Sequence, residues 1–426
     1  MIGVIKKYAG LFEAKSEVEQ SGGIYVLKVR TPDEVLKIIA EIYNKKGTKK
    51  QLIKVVDALG RVLYEEIIAE ESIPGFNRST VDGYAVIASD TFGCSESIPA
   101  VLTITGEILM GQTARHRLMP GTSVGISTGG DLPEGSDAVV MVEHTESYGE
   151  DMVGVLRPAA PGNNIIFKGD DISVGERALK AGTILTAHEI GILSALGYTE
   201  VKVCKKPIIG IISTGDELIM PMEKPKRGQI RDVNTPMLIA AMQHFGAQAF
   251  NYGIIRDQSE ELSEAVCRAS NECDAVLISG GASAGLRDMT ANVIQSQGEI
   301  LFHGIAMKPG KPTILGLINS KPVFGLPGHP VAAYFVAQLF VRPLVSGMMG
   351  SVSARRTTDA EITEAISSNH GREEYIAVKI NNSGTATPIR GKSGLIATLA
   401  NTDGYICIPR NTEGISAKTQ MMITFW

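Results

Sequence analysis

Four carboxylates and two lysines in the middle of the chain, Asp216, Glu217, Asp257, Asp288, Lys308 and Lys311, stand around the ends of short apolar runs. Brought together, such carboxylates repel one another and raise their own pKa values unless a cation sits among them. Oxygen ligands without a paired His or Cys suit Mg²⁺, which bridges a few carboxylates to phosphate oxygens. The two lysines, stiffened by Pro309 and Pro312, would neutralise phosphate charge, and the loop from Gly280 to Gly285, with Gly281 and Ser283, can offer backbone N–H groups to the same anion. The set therefore asks for a hard cation and a phosphate-bearing substrate. Each part also has a plainer reading: Asp216 and Glu217 as the N-cap and first-turn acids of a helix, the glycines as turns, the lysines as solvated surface.

The elements that must position these groups are strands. Pro207 to Leu218 opens with an apolar run rich in β-branched residues between Pro and Gly, which suits a parallel strand buried on both faces. Ser213, Thr214 and Gly215 end it, so Asp216 and Glu217 lie just past its carboxyl end, where open α/β sheets bind ligands. Further runs at βαβ spacing close on Gly253-Ile254-Ile255-Arg256-Asp257 and on Ala275 to Gly285, and Met307 to Pro312 precedes Thr313-Ile314-Leu315. If these ends share one sheet edge, the charged groups converge.

Upstream, Thr31-Pro32-Asp33-Glu34 predicts a capped helix start, and Val35, Ile38, Ile39 and Ile42 give it one apolar face as far as about Lys45. From Ile73 to about Arg157 short alternating runs between Gly, Pro and Asp predict an all-β insertion, with Asp82 in a Val-Asp-Gly-Tyr turn and Thr128 before two glycines. Asp170 and Asp171 precede a second helix, about Ala187 to Leu196, which is expected to pack on the first to make one discontinuous domain. Residues 205–347 read as the α/β domain, its last helix following Gly325-Leu326-Pro327-Gly328-His329-Pro330, and residues 351–426 return to short strands suited to a small barrel or sandwich. Among the histidines, His144, His188 and His303 lack ligand spacing, which leaves His329 in its Pro-Gly-His-Pro loop as the one to watch.

The totals bound the class. A chain of 426 residues, 44% hydrophobic and 20% charged, is a soluble multidomain protein. With 46 acidic and 41 basic residues and no dense basic block, nucleic-acid binding is disfavoured. The start lacks a secretory signal and no apolar run reaches ~18 residues, so a cytoplasmic protein with no membrane segment is expected. Five cysteines without Cys-x-x-Cys read as reduced thiols.

Six motifs then occur in order: Ser79-Thr80-Val81-Asp82-Gly83-Tyr84-Ala85, Pro133-Glu134-Gly135-Ser136-Asp137-Ala138-Val139-Val140, Ser213-Thr214-Gly215-Asp216-Glu217-Leu218, Gly253-Ile254-Ile255-Arg256-Asp257, Lys308-Pro309-Gly310-Lys311-Pro312 and Gly325-Leu326-Pro327-Gly328. The sequence resembles the molybdopterin molybdenumtransferases, the MoeA-type enzymes of molybdenum cofactor biosynthesis also fused within eukaryotic gephyrin, over roughly residues 31 to 426. The resemblance implies a multidomain α/β plus β fold: a MogA-like three-layer α/β domain (205–347), a β insertion domain (73–158), a mixed α+β linking domain (31–72 and 159–204) and a C-terminal β-barrel (351–426), with an extension over 1–30. It also implies a homodimer whose cleft lies between the α/β domain of one subunit and the β insertion of the other. The implied reaction joins adenylylated molybdopterin and molybdate, or tungstate, with Mg²⁺ and releases AMP. The molybdopterin adenylyltransferase and recipient apoenzymes would be partners.

Carried over, Glu217, Asp257, Asp288, Asp82 and Asp171 resemble the catalytic acids, and Asp216, Glu217, Asp257 and Asp288 the metal ligands. Thr128, Ser213, Thr214, Gly215, Gly280, Gly281, Ser283, Lys308, Lys311, Pro327 and Pro330 would contact substrate. The chain departs from the family's usual pattern at His329, where Asn is usual, at Asp170, where Glu is frequent, and at Ala282 and Ala284, where Val is common. Two other readings stay open: a non-catalytic molybdopterin-binding scaffold of the same fold, and adenylyl transfer to molybdopterin by the α/β domain.

Overall fold

The computed structural model describes residues 29–44, 48–115, 117–280, 284–351 and 355–426, and the side chains of all of these except 284–288. The extension before residue 29 lies outside the described residues.

Helix α1 (Pro32–Asn44) starts as its sequence asks: the Glu34 carboxylate accepts from Thr31 N at 2.8 Å and Thr31 Oγ1 accepts from Glu34 N at 3.3 Å. Its apolar stripe buries Val35, Ile39 and Ile42, but in the core of the α/β unit. Helix α2 (Ala187–Ala195), capped in the same way by Thr186 and Glu189, buries Leu193 in a separate core with Leu63, Leu185 and Val203. The expected packing of α1 on α2 is therefore not what forms. A three-residue aliphatic stripe can dock on any matching face, and α1 finds one on the helix Arg342–Met348, where the Tyr43 ring lies flat enough on Gly347 that a Cβ there would sit 2.3 Å from it. The two flanking segments meet through strands instead: Lys50–Lys54 runs antiparallel to Glu200–Cys204, and Ile67–Ile68 to Arg177–Leu179.

The insertion is a six-stranded sheet in the order Ala138–Met141, Gly83–Val86, Thr122–Ile126, Ala100–Ile108, Met152–Val155, Thr145–Ser147. Strand alternation sends Val86, Val140 and Val153 to one face and Ala85, Val124 and Val139 to the other, and each face has its own core.

The α/β unit has a six-stranded sheet in the order Gln248–Ile255, Ile208–Thr214, Ala275–Gly280, Lys321–Leu326, Ile314–Ile318, Glu299–His303. The first four strands run parallel, the fifth is reversed and the sixth runs with the first four, and the pairings Ile314↔Gly325 and His303↔Ile314 keep the loop between the last two on the same edge as the parallel carboxyl ends. Helix α3 (Asn234–His244) and α6 (Pro330–Val336) cover one face together with α1; α4 (Ser259–Glu272) and α5 (Ala284–Gln297) cover the other. This three-layer sandwich explains the unbroken burial of Ile209, Ile211 and Ile212. The helical run Pro330–Met348 is long and apolar enough to cross a membrane, but 72% of it is buried as the core of this unit.

The last sheet orders Met307–Lys308, Glu373–Ile380, Gly404–Ile408, Gln420–Phe425 and Thr357–Glu361. Its first strand is lent by the α/β unit. Aromatic packing locks the two together: Phe335 of α6 meets Trp426 at 5.3 Å and Tyr405 at 5.7 Å, edge-on, pairs worth about 0.5–1.5 kcal/mol each beyond their burial. After α6 one turn is π-helical (Ala337–Val341), and the Arg355 guanidinium donates to Gln338 O there at 2.7 Å.

Candidate functional site

The carboxyl edge of the parallel strands carries the first group of polar side chains. Thr214 Oγ1 donates to Asp257 Oδ1 at 2.7 Å, which joins the ends of two neighbouring strands. The Asp257 N–H donates to Asp216 Oδ1 at 3.3 Å and the Asp216 N–H to Asp257 Oδ2 at 3.4 Å, so each acid fixes the other's loop. Gly280 closes the third strand beside them, where a Cβ would lie 2.2 Å from Thr214 O. No other residue fits there. A cavity of about 690 Å³ opens beside this edge, lined by Thr214, Glu217, Gly280 and Pro330 among others. Ser213 is fully buried beneath it and shares a hydrogen bond with Thr235 at 2.7 Å, so its hydroxyl supports the site from below.

The capping alternative for Asp216 and Glu217 is overturned. After Gly215 the chain runs into a two-residue strand, Leu218–Ile219, paired in parallel with Ile230–Arg231, and the helix starts only at Asn234. Asp232 caps it, accepting from Asn234 N and Thr235 N at 3.1 Å each. Asn234 Nδ2 in turn donates to Ser279 Oγ and to Gly328 O, both at 2.8 Å, and so binds a strand end to the loop before α6. Neither Asp232 nor Asn234 was read as functional from sequence, although an acid two residues before an apolar helix is a recognisable cap signal.

The two lysines lie elsewhere than expected. Because Met307–Lys308 joins the C-terminal sheet, Lys308 Nζ meets the Glu374 carboxylate at 2.6 Å, and Lys308, Lys311 and Pro327 line a second cavity of about 720 Å³. Glu374 is buried and also accepts from Ser368 Oγ at 2.8 Å, so it is neutralised within the wall. Arg372, Arg390 and Lys392 complete the lining, which leaves a strong excess of positive charge facing one space. The sequence offered no local signal for these three, since a separate sheet brings them in. Cys407 next to this wall is kept a thiol: burial, then the Glu373 charge, pushes it up to about 12. Tyr375 is likewise held protonated, chiefly by burial.

The third group is on the insertion and, for Asp171, on the linking segment that follows it. Asp82 Oδ1 accepts from Thr128 N at 2.7 Å and Thr128 Oγ1 at 3.0 Å, and these bonds, the backbone one first, hold its carboxyl below the usual range. The Asp82, Thr128 and Asp171 loops form one exposed surface: Gly129 N donates to Ser79 O at 2.8 Å, Lys168 N to Asn77 Oδ1 at 2.8 Å, and Asp171 N to Ile73 O at 3.0 Å. This surface is built on a different sheet from the Asp257 cluster.

Gly281 and Ser283 lie outside the described residues; Asp288 falls within α5, but its side chain is not among those described. Among the described residues no three His, Cys, Asp or Glu side chains form a ready metal cage.

Comparison with known proteins agrees with this architecture. Residues 30–197 match the MoeA N-terminal region (domain I and II), residues 210–347 a "Probable molybdopterin binding domain", and residues 359–421 the MoeA C-terminal region (domain IV). The molybdopterin molybdenumtransferase of Bacillus subtilis is 31% identical over 401 residues, covering 91% of this chain and 93% of the relative. That of Staphylococcus epidermidis is 31% identical over 395 residues, covering 91% and 94%. The crystal structure of the molybdopterin biosynthesis MoeA protein from Pyrococcus horikoshii superposes with a TM-score of 0.84 at 35% identity, covering 94% of this chain and 100% of that one. With three matched regions in their order and relatives this similar over nearly their whole length, the chain belongs to the MoeA family of molybdopterin molybdenumtransferases.

Proposed function

We propose that this protein inserts molybdate, or tungstate, into adenylylated molybdopterin with Mg²⁺-dependent release of AMP. The observation that carries the reading is the pair of adjoining cavities: one walled by Lys311, Arg372, Arg390 and Lys392 for a small dianion, the other edged by Thr214, Glu217 and Gly280 for the phosphate-bearing substrate. Lys308, paired with Glu374, shapes the first cavity, with Pro327 beside it, and Pro330 borders the second.

The donor set at the strand ends fits Mg²⁺. It is oxygen-only, and Asp216 and Asp257 are held together by their own loops while lone pairs remain. Mg²⁺ keeps water and takes phosphate oxygens, so it needs few protein ligands. Asp216 and Asp257, with Glu217 and Asp288, would hold the ion, and its chemistry would be polarisation of the phosphoanhydride. The chain's own part is positioning: Thr214 orients Asp257, and the Gly280 backbone leaves room for the anion.

The reading includes a homodimer in which the Asp82, Thr128 and Asp171 surface of one subunit completes the cleft of the other. It divides the chain at 31–72 with 159–204, 73–158, 205–347 and 351–426, the first division supported by the strand pairings across it. All five cysteines are free, which supports a location in the reducing cytoplasm. The molybdopterin adenylyltransferase and recipient apoenzymes are the partners this reaction calls for.

The test is AMP release from purified adenylylated molybdopterin as molybdate or tungstate is titrated in with Mg²⁺. Oxyanion-dependent release is expected, and the two titrations identify the preferred ion. Tight binding of the substrate without release under either ion would overturn the enzyme in favour of the scaffold.

A further inference from the structure

His329 is the side chain on the walls of both cavities. Its position is set from two sides. The preceding Gly328 carbonyl is held by Asn234 Nδ2 at 2.8 Å, and His329 Nδ1 shares a hydrogen bond with Ser393 Oγ at 2.7 Å, across the seam between the α/β unit and the C-terminal sheet. Ser393 is anchored in turn, its carbonyl accepting from Val331 N at 3.1 Å. With Nδ1 committed, Nε2 is the nitrogen left to face a ligand.

The charged groups that line the two cavities beside this ring are of two kinds. From the cation-lined side come Lys308 with its partner Glu374, Lys311, Arg372, Arg390 and Lys392. From the other side come Glu217, Arg231 and Asp232. Imidazole is the side-chain type suited to passing protons both ways near neutral pH.

The reaction proposed above needs protons at this seam. When a tetraoxo dianion is taken up by two thiols, two metal–sulfur bonds form and two metal–oxygen bonds break. The two departing oxygens leave as water and take four protons, two from the thiols and two from outside; the metal's oxidation state does not change. We propose that His329 delivers those two outside protons in turn, recharged from solvent, which makes it a catalytic residue at the junction of oxyanion and dithiolene. The proposal rests on the functional reading above. It also predicts a binding signature: a dianion beside an imidazole favours the imidazolium, so oxyanion binding takes up protons.

The experiment compares wild type, His329→Asn and Ser393→Ala. Asparagine can keep the bond to Ser393 but cannot carry a proton; Ser393→Ala removes the tether and keeps the ring. Molybdate binding is measured by calorimetry at pH 7 in two buffers of different ionisation enthalpy, alongside the pH dependence of oxyanion insertion. The expected result is proton uptake in wild type and in Ser393→Ala but not in His329→Asn. In His329→Asn kcat for insertion should be lowered and its pH dependence near neutrality lost, because Asn, usual in the family, leaves proton delivery to solvent, while KM for molybdate stays within about 3-fold. A pH profile and proton uptake in His329→Asn matching wild type would overturn the proposal, as would a loss in KM alone, which would make His329 a tether only. If wild type takes up molybdate and protons but releases no AMP, the functional reading fails while the proton assignment is judged on the calorimetry.

Discussion

At the scale of single residues, Asp257 is the side chain with the clearest consequence. It accepts from Thr214 Oγ1 at one oxygen and from the Asp216 backbone at the other, and it is half-buried in a loop that carries no core. Asp257→Ala should abolish AMP release in the assay above while the melting temperature shifts little. Thr214→Val removes only the orienting hydroxyl and should cost ~10- to 100-fold; full activity of either variant would remove Asp257 from the site. Asp82 makes a subtler prediction. Its carboxyl is held below the ordinary range mainly by the Thr128 backbone N–H, so its charge persists as pH falls and is lost only below the ordinary carboxylate range. Thr128→Val keeps that N–H, so it should move the acidic limb of the pH–rate profile upward only slightly; Asp82→Asn should remove its part of that limb. Asp257 was legible in sequence because a strand end announces it. Arg372, Arg390 and Lys392 were not, because their neighbours belong to another sheet.

At the scale of elements, α1 shows what local sequence can and cannot reveal. Its cap was readable, since Thr31 and Glu34 satisfy each other's backbone within four residues. Its partner was not, because an aliphatic stripe states that it will be buried without stating against what. Thr31→Ala should cost about 1 kcal/mol in urea unfolding of the full chain. Glu34 adds a pH dependence: its carboxyl is lowered chiefly by the Thr31 backbone N–H. That stabilisation is complete above the carboxyl's unfolded value and is lost as pH falls through the folded one, so Glu34→Gln should flatten the acid side of the stability curve. Ile39→Ala should cost about 2–5 kcal/mol, and Gly347→Ala should displace α1 by pushing on Tyr43. Both should loosen the α/β unit and leave the α2 core around Leu63, Leu185 and Leu193 unchanged, the reverse of what packing of α1 on α2 would give.

At the scale of the whole molecule, the Asp82 surface and the Asp257 cluster are built on different sheets, and the proposed reaction calls for both. If each cleft takes its α/β half from one subunit and its insertion half from the partner, two inactive variants can repair each other. A dimer of Asp82→Ala with Asp257→Ala has one cleft with both acids intact and one with neither. Unfolding is not needed, only subunit exchange, and random pairing makes about half of all dimers mixed. Since half of the clefts in those dimers work, the mixture should recover roughly one quarter of wild-type AMP release from two parents that each show almost none. A mixture no more active than its parents, with mixed dimers demonstrated by differential tagging, would place both acids of a cleft on one chain and remove the cross-subunit arrangement.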